Sequence, residues 1–180
     1  MRPLAKTDHS RGHLSVLSVL TSAPEVSESQ YAQTFDAMKA FNNYFTLVII
    51  SRSTDKIVGA GTLFIEQKFI RNLGTVGHIE DIVVDKSMQG RKLGLRILNA
   101  LTGVSEAKGC YKSILNCSSD NVGKSHFLLS SLFSGLMRLS GFYQKCGYEE
   151  KEVEMVKYQI LATPATSADS SAKSAQSPRL

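Results

Sequence analysis

The apolar positions of this chain change period several times between its start and about residue 160, and each change marks an element. Arg2-Pro3-Leu4 is a short extended stub. Thr7 or Asp8 then caps a first helix with Leu14, Leu17 and Leu20 near one face. Ser27 and Gln30 fit a capping box for a second helix, whose stripe of Tyr31, Phe35 and Met38 belongs to a core. Phe45 to Ile50 is a β-branched and aromatic run, Ser53-Thr54-Asp55-Lys56 is a turn, and Ile57 to Ile65 is a second run, the pattern of an antiparallel hairpin. Gly77 to Val84 continues the sheet. A helix from about Gly90 to Lys108 turns Leu93, Ile97, Leu98 and Leu101 inward, and Lys112 to Cys117 returns as a strand that a helical crossover allows to lie parallel to the one before. The expected class is α/β (α+β), a mixed central sheet flanked by helices.

The chemistry concentrates between Gly77 and Leu98. There an apolar strand passes through a polar turn into the loop Gln89-Gly90-Arg91-Lys92-Leu93-Gly94 and then a helix beginning with Leu95-Arg96. Such a loop can aim several backbone N–H groups at one point beside a helix N-terminus, where the partial positive charge favours a phosphate, and a pyrophosphate most naturally. Gly90 allows a tight turn or a close approach, Gly94 allows close packing as the helix begins, and Arg91 and Lys92 add positive charge. Neither the dinucleotide pattern G-x-G-x-x-G nor the Walker pattern is present. Taken by itself, the loop also fits an ordinary strand-to-helix connection with solvated charges. The preceding strand adds a second signal: Glu80 and Asp81 sit side by side in an apolar run that ends Ile82-Val83-Val84. Strand alternation sends their side chains to opposite faces, so each carboxylate needs a basic partner, a solvated edge or a chemical role.

The loop resembles motif A of the GNAT family of N-acetyltransferases, whose signature is Q/R-x-x-G-x-G/A. His78-Ile79-Glu80-Asp81-Ile82-Val83-Val84 is similar to the branch of that family that acetylates glucosamine 6-phosphate. The likeness continues in Arg2-Pro3-Leu4 with Thr7-Asp8, in Val19-Leu20-Thr21, and in Ile65-Glu66-Gln67-Lys68-Phe69-Ile70-Arg71. It resumes in Gly109-Cys110-Tyr111-Lys112, in Asn121-Val122, in Phe142-Tyr143-Gln144-Lys145-Cys146-Gly147-Tyr148 and in Val153-Glu154-Met155. What the resemblance implies is a fold whose parallel strand pair splays around a CoA cleft, acetyl-CoA as co-substrate, glucosamine 6-phosphate as acceptor, a homodimer and no metal. By the same resemblance the backbone of Ile82, Val83 and Val84 holds the pantetheine arm, and the loop from Gln89 through Gly90, Arg91, Lys92, Leu93 and Gly94 to Leu95 holds the pyrophosphate. Glu80 and Asp81 orient the sugar and its amine, Tyr143 serves the leaving thiolate, and Asn121 contacts the cofactor. The sugar phosphate falls to Thr21, to Lys68, Phe69, Ile70 and Arg71, and to Tyr111 with Lys112. Lys157 stands in as a point charge where the family often places a partner-supplied Arg.

Composition narrows the alternatives. The length of 180 residues, with 42% hydrophobic, suits one domain over residues 1–161. A formal charge of +5 scattered among acids is too thin for the basic stripe of a nucleic-acid binder, yet suits a phosphorylated substrate and a polyanionic cofactor. Cys110, Cys117 and Cys146 are an odd number without zinc spacing and read as buried thiols. No apolar run reaches membrane-spanning length and no signal core precedes the first strand, so the expected address is the cytoplasm, with a peripheral position on the endoplasmic reticulum surface compatible. Ala162 to Leu180, rich in Ala, Ser, Thr and Pro, is expected to be disordered.

One stretch breaks the family pattern. Asn121-Val122 is separated from Phe142-Tyr143 by GKSHFLLSSLFSGLMRLSG, and deleting either Gly123 to Ser140 or Lys124 to Gly141 restores the usual spacing. A retained short intron accounts for this segment: a Gly-Lys junction fits a splice donor, the Phe/Leu/Ser interior a pyrimidine tract, and the closing Ser-Gly an acceptor. An apolar insertion beside the cleft could displace Asn121 or Tyr143, so two other readings stand beside an active enzyme. One is an inactive or impaired CoA-binding dimer partner; the other is a GNAT protein acting on a different amine.

Overall fold

Tyr44–Ile50 (β2) and Ile57–Gln67 (β3), both rich in β-branched and aromatic residues, pair antiparallel from Tyr44↔Phe64 to Ile50↔Ile57. In this computed structural model, which describes residues 1–116, 143 and 146–151, Arg2–Pro3 (β1) adds to the outer side of β2. Thr75–Val84 (β4) pairs antiparallel with β3, and Cys110–Leu115 (β5) closes the sheet parallel to β4, for the order β1-β2-β3-β4-β5. The expected hairpin and parallel pair are both present. All elements belong to the unit Met1–Glu150; Lys151–Leu180 forms a second unit. Cys117, Asn121, the Gly123–Gly141 insertion, Lys157 and the Ala162–Leu180 tail lie outside the described residues.

Leu93–Ala107 (α4) covers one face of the sheet. Its Ile97, Leu98 and Leu101 are fully buried against Ile49, Val58, Leu63 and Ile79, each worth about 2–3 kcal/mol in apolar burial. The close seat is made by glycines on the strands. A Cβ at Gly61 would lie 2.6 Å from Ile97 Cγ2 and 3.1 Å from Leu101 Cδ1, and one at Gly77 would fall on the Ser105 hydroxyl. Ser105 is fully buried and accepts a 2.8 Å hydrogen bond from the Ser113 hydroxyl of β5, tying helix to strand.

The opposite face carries a 3-10 turn at Lys6–His9, the short helix His13–Leu17 (α1) and Glu28–Ala40 (α2). Val16 packs there with Val48, Ile57, Ala60 and Val83. The capping box of α2 forms as expected, Gln30 N–H donating to the Ser27 hydroxyl at 3.3 Å and Ser27 N–H to Gln30 Oε1 at 3.0 Å. The first helix differs from the expectation. It starts at His13 behind a left-handed Gly12, buries His13 and Val16, and leaves Leu20 exposed, because the chain first folds Asp8 inward. The helix expected from Gly90 starts at Leu93, and Cys110 and Cys146 are half-buried rather than buried.

Asp8 anchors the N-terminal segment. Its fully buried carboxylate receives both Arg2 guanidinium nitrogens at 2.7 and 2.6 Å and the Ala5 N–H at 2.8 Å, with Arg11 at 3.4 Å. Burial alone would raise its pKa, but the Arg2 and Ala5 hydrogen bonds with the charges of Arg2 and Arg11 outweigh that and hold it below the ordinary carboxylate value. A depressed carboxylate stabilises the fold above its unfolded pKa and loses that contribution as pH falls through the folded value. Asp8→Asn should therefore cost about 1–3 kcal/mol at neutral pH, towards the lower end because Arg2 keeps access to water. In urea unfolding followed from neutral to acid pH, the gap between variant and parent closes as Asp8 titrates.

Candidate functional site

The acid pair lies at an irregularity in β4. Ala60 pairs with Val83 and Thr62 with Glu80, so β3 spends Gly61 where β4 spends Asp81 and Ile82. Asp81 is the extra residue, with φ 54 in the left-handed region where Gly is usual and Asp is tolerated. This corrects the simple alternation expected from the sequence. The bulge restarts the count, so Ile82 packs on the α4 side beside Gly61 while Val83 joins Val16 on the α1 side. Glu80 and Asp81 are both exposed despite their apolar flanks.

Directly beyond the acids the sheet opens. β5 follows β4 only from Thr75↔Cys110 to Ile79↔Leu115, and among the described residues no strand pairs with Ile82–Val84 on that side. The free edge leads into the loop. Asp85 N–H donates to Val58 O at 3.0 Å and the Asp85 carboxylate caps Ser87, whose hydroxyl and N–H hold its pKa below the ordinary carboxylate value. Gln89 Nε2 donates back to Val84 O at 3.3 Å. Gly90 takes φ 78, which only glycine adopts without strain, and Lys92 takes φ 58 as the residue before α4. Among the described residues, no N–H from Gln89 to Leu95 donates a hydrogen bond; the first to do so is that of Arg96, to Lys92 O at 3.1 Å. A row of free amides with Arg91 and Lys92 exposed beside it is an arrangement that suits a polyanion.

Tyr143 returns to the same neighbourhood from further along the chain. It is half-buried and packs with Cys146 and Tyr148 against the core cluster of Ile97, Leu98 and Leu101. Its carbonyl accepts from Cys146 N–H and Tyr148 N–H, both at 3.0 Å, while the Tyr148 hydroxyl lies 2.8 Å from Thr102 Oγ1 on α4. Burial raises the Tyr148 pKa, with its hydrogen bonds to Thr102 and Ser113 acting the other way.

The residues expected for the sugar phosphate are dispersed. Thr21 lies exposed after α1, and Tyr111 and Lys112 are exposed on β5. Lys68 is paired with Glu66, which also meets His78 Nε2 at 2.9 Å. Phe69 is 97% exposed, and Ile70–Leu73 (α3) is a single turn in which Arg71, Asn72 and Leu73 all have positive φ. About 17 Å of strand separates Thr75 from Glu80 at roughly 3.3 Å per residue, and Lys68 to Arg71 lie beyond Thr75. Within one chain the hairpin tip and the acid pair are not brought together.

The model of the acetyltransferase (GNAT) family matches residues 14–130. The chain belongs to the GNAT acetyltransferase family. Among GNAT relatives it is 39% identical over 164 residues, 91% of either chain, to glucosamine 6-phosphate N-acetyltransferase 1 of Dictyostelium discoideum. It is 37% identical to the Candida albicans glucosamine 6-phosphate N-acetyltransferase, over 86% of this chain and 92% of that one. The crystal structure of glucosamine-6-phosphate N-acetyltransferase from Arabidopsis thaliana superposes with a TM-score of 0.75 at 32% identity, covering 87% of this chain and 95% of that one. The five-stranded mixed sheet and its helices are thus a GNAT fold, and GNAT acetyltransferases use acetyl-CoA as co-substrate. No described helix is long and apolar enough to cross a membrane, and among the described residues no His, Cys, Asp and Glu cluster is placed to hold a metal.

The GNAT signature puts glycine where this chain has Lys92, and the backbone there still takes the left-handed turn a glycine would. Lys92→Gly should raise the unfolding free energy by about 1 kcal/mol and weaken CoA binding through the lost charge. Gly90→Val, which forces a branched side chain to φ 78, should lower both stability and affinity. Chemical denaturation and calorimetric titration with CoA separate the two effects.

Proposed function

We propose that this chain transfers the acetyl group of acetyl-CoA to the amine of D-glucosamine 6-phosphate, releasing CoA and N-acetyl-D-glucosamine 6-phosphate for the synthesis of UDP-N-acetylglucosamine. The observation that carries this reading is the continuity of three features on one stretch of chain: exposed acids at the bulge, a free strand edge, and a row of unbonded amides leading into α4. The reading takes the acetyltransferase domain as residues 1–161.

The amides of Gln89 to Leu95, with Arg91 and Lys92, take the pyrophosphate. The pantetheine arm adds to the edge at Ile82, Val83 and Val84 as an extra strand, and an N–H of that edge holds the carbonyl oxygen as it becomes an oxyanion. Glu80 and Asp81 orient the sugar and accept N–H bonds from its amine, so the neutral nitrogen attacks the thioester carbon. The C–N bond forms, the C–S bond breaks, the amine proton leaves through the carboxylates to water, and Tyr143 gives a proton to the departing thiolate. Asn121 contacts the cofactor near that sulfur. Thr21, Lys68, Phe69, Ile70, Arg71, Tyr111, Lys112 and Lys157 serve the sugar phosphate.

The distance between hairpin tip and acid pair favours a homodimer in which the phosphate residues of one copy complete the site of the other. Phe69, Ile70 and Leu73, exposed by 97%, 66% and 72%, are apolar groups at that tip which a second copy would cover. A cytoplasmic address suits both substrates.

Incubated with acetyl-CoA and glucosamine 6-phosphate, the full chain should release free CoA thiol, read by a thiol reagent. Tyr143→Phe should lower kcat by about 10- to 100-fold with little change in acetyl-CoA binding. Thiol release by neither the full chain nor the Lys124–Gly141 deletion variant overturns the assignment.

A further inference from the structure

His13 is the buried polar group that the mechanism above leaves unused. It opens α1, is 92% buried by its 8% exposure, and its Nδ1 lies 2.9 Å from the Tyr31 hydroxyl of α2, the rings meeting edge to face at 5.8 Å and 83°. Its Nε2 is fully buried with no hydrogen-bond partner. Buried imidazole nitrogens are normally satisfied, so an orphan one calls for an acceptor within reach.

The charged and titratable groups around His13 come from three elements. The Lys6–His9 turn supplies Asp8, whose oxygens are already taken by Arg2, the Ala5 N–H and Arg11, and His9, whose ring centre lies 5.2 Å from that of Tyr31 at a tilt of 56°. The second helix supplies Tyr31. The fourth strand supplies Asp81, reached because α1 lies across β4: Val16, one turn after His13, packs on Val83, two residues after Asp81. Among the described residues Asp81 has no hydrogen bond or ion pair of its own. No bond joins it to Nε2 in this structure, but its charge acts on the His13 ring and its carboxylate is uncommitted, so it is the acceptor that Nε2 can take up.

Tyr31 faces the other ring nitrogen, Nδ1. Burial, with a contribution from Asp8, pushes its pKa up to about 12, so the hydroxyl keeps its proton. Burial holds the His13 imidazole below its ordinary value against the opposing charges of Asp8 and Asp81, so the ring is neutral at neutral pH. A protonated phenol facing a neutral imidazole can donate to Nδ1, the arrangement that leaves the ring proton on Nε2.

We propose that His13 is a positioning residue for Asp81: its Nε2–H, oriented by Tyr31, donates to the Asp81 carboxylate and holds it in the orientation that receives the acceptor amine. The left-handed backbone at Asp81 leaves that carboxylate on an exposed bulge, where a fixed donor from beneath removes rotamer freedom. The role in turnover rests on the acetyl-transfer reading of the site.

A double-mutant cycle on the full chain tests it. His13→Phe keeps an aromatic ring and should lower kcat about tenfold with the KM for acetyl-CoA within about twofold; it also leaves the Tyr31 hydroxyl unpaired and lowers thermal stability, so kcat is read well below the variant's Tm. His13→Gln, whose amide can donate from a similar position, should recover most of the rate. In the Asp81→Asn background His13→Phe should add nothing. Full kcat in a folded His13→Phe variant, or the same loss with and without Asp81, overturns the proposal. Nitrogen-labelled histidine spectra of the parent chain decide the point independently of activity and of variant folding. They should show the Nε2–H tautomer at neutral pH, with a resonance that shifts in Asp81→Asn; the other tautomer, or an unmoved resonance, sinks it. A parent chain that shows this tautomer and coupling but does not acetylate the sugar overturns the assigned reaction and the turnover role while leaving the contact.

Discussion

Everything at the site follows from one extra residue in β4. Because β3 passes Gly61 while β4 passes Asp81 and Ile82, the strand changes which faces its side chains address halfway along. Ile79 and Ile82 can then both join the α4 core, and Val83 can meet Val16 on the opposite face. Without the bulge, alternation would carry Val83 to the face that Ile82 now occupies. The same extra residue leaves both carboxylates exposed just past the last β4–β5 pair, so the chemistry sits where the sheet opens. A left-handed backbone at Asp81 is the cost, about 1–2 kcal/mol for a residue with a side chain, and core packing on both faces offsets it.

That packing also couples the two ends of the proposed acetyl-CoA site. The acids, the free edge and the amide row are consecutive along the chain, and their separation is governed by how α4 seats on the sheet. Gly61 and Gly77 let the helix approach closely, and the Ser105–Ser113 hydrogen bond ties it to β5. Lys92 accepts a left-handed conformation to start the helix at Leu93, which leaves the first amides of the helix facing outward. Tyr143 and Tyr148 then dock onto the same helix. The helix is thus the common reference for the phosphate end and for the residue assigned to the leaving thiolate.

Much of this was legible in the residues. The hairpin of β2 and β3 announced itself through β-branched runs around a polar turn, the α2 capping box through Ser27 and Gln30, and the α4 core face through Ile97, Leu98 and Leu101 at helical spacing. The loop Gln89–Gly94 taken alone also fitted an ordinary strand-to-helix connection; the adjacent Glu80–Asp81 pair and the family resemblance singled it out. Other features were not legible, for definite reasons. Asp8 reads as a helix cap, yet Arg2 and Arg11 draw it inward, and a short helix takes its boundary from that ion cluster rather than from its own leucines. His13 looks like a polar residue on a surface helix, and only the α2 contact through Tyr31 reveals that it is buried.

Local pattern, then, determined the elements, their order, the parallel crossover and the chemical character of the acid pair and amide loop, because each depends on neighbours a few residues away. The tertiary structure alone decided the bulge at Asp81, the exposure of both acids, the burial of His13 against Tyr31 and the separation of Lys68–Arg71 from Glu80. Those depend on which strand spends an extra residue opposite a glycine, and on how far a strand carries its two ends apart. Such pairings arise between segments remote in the chain and are invisible to any reading of adjacent positions.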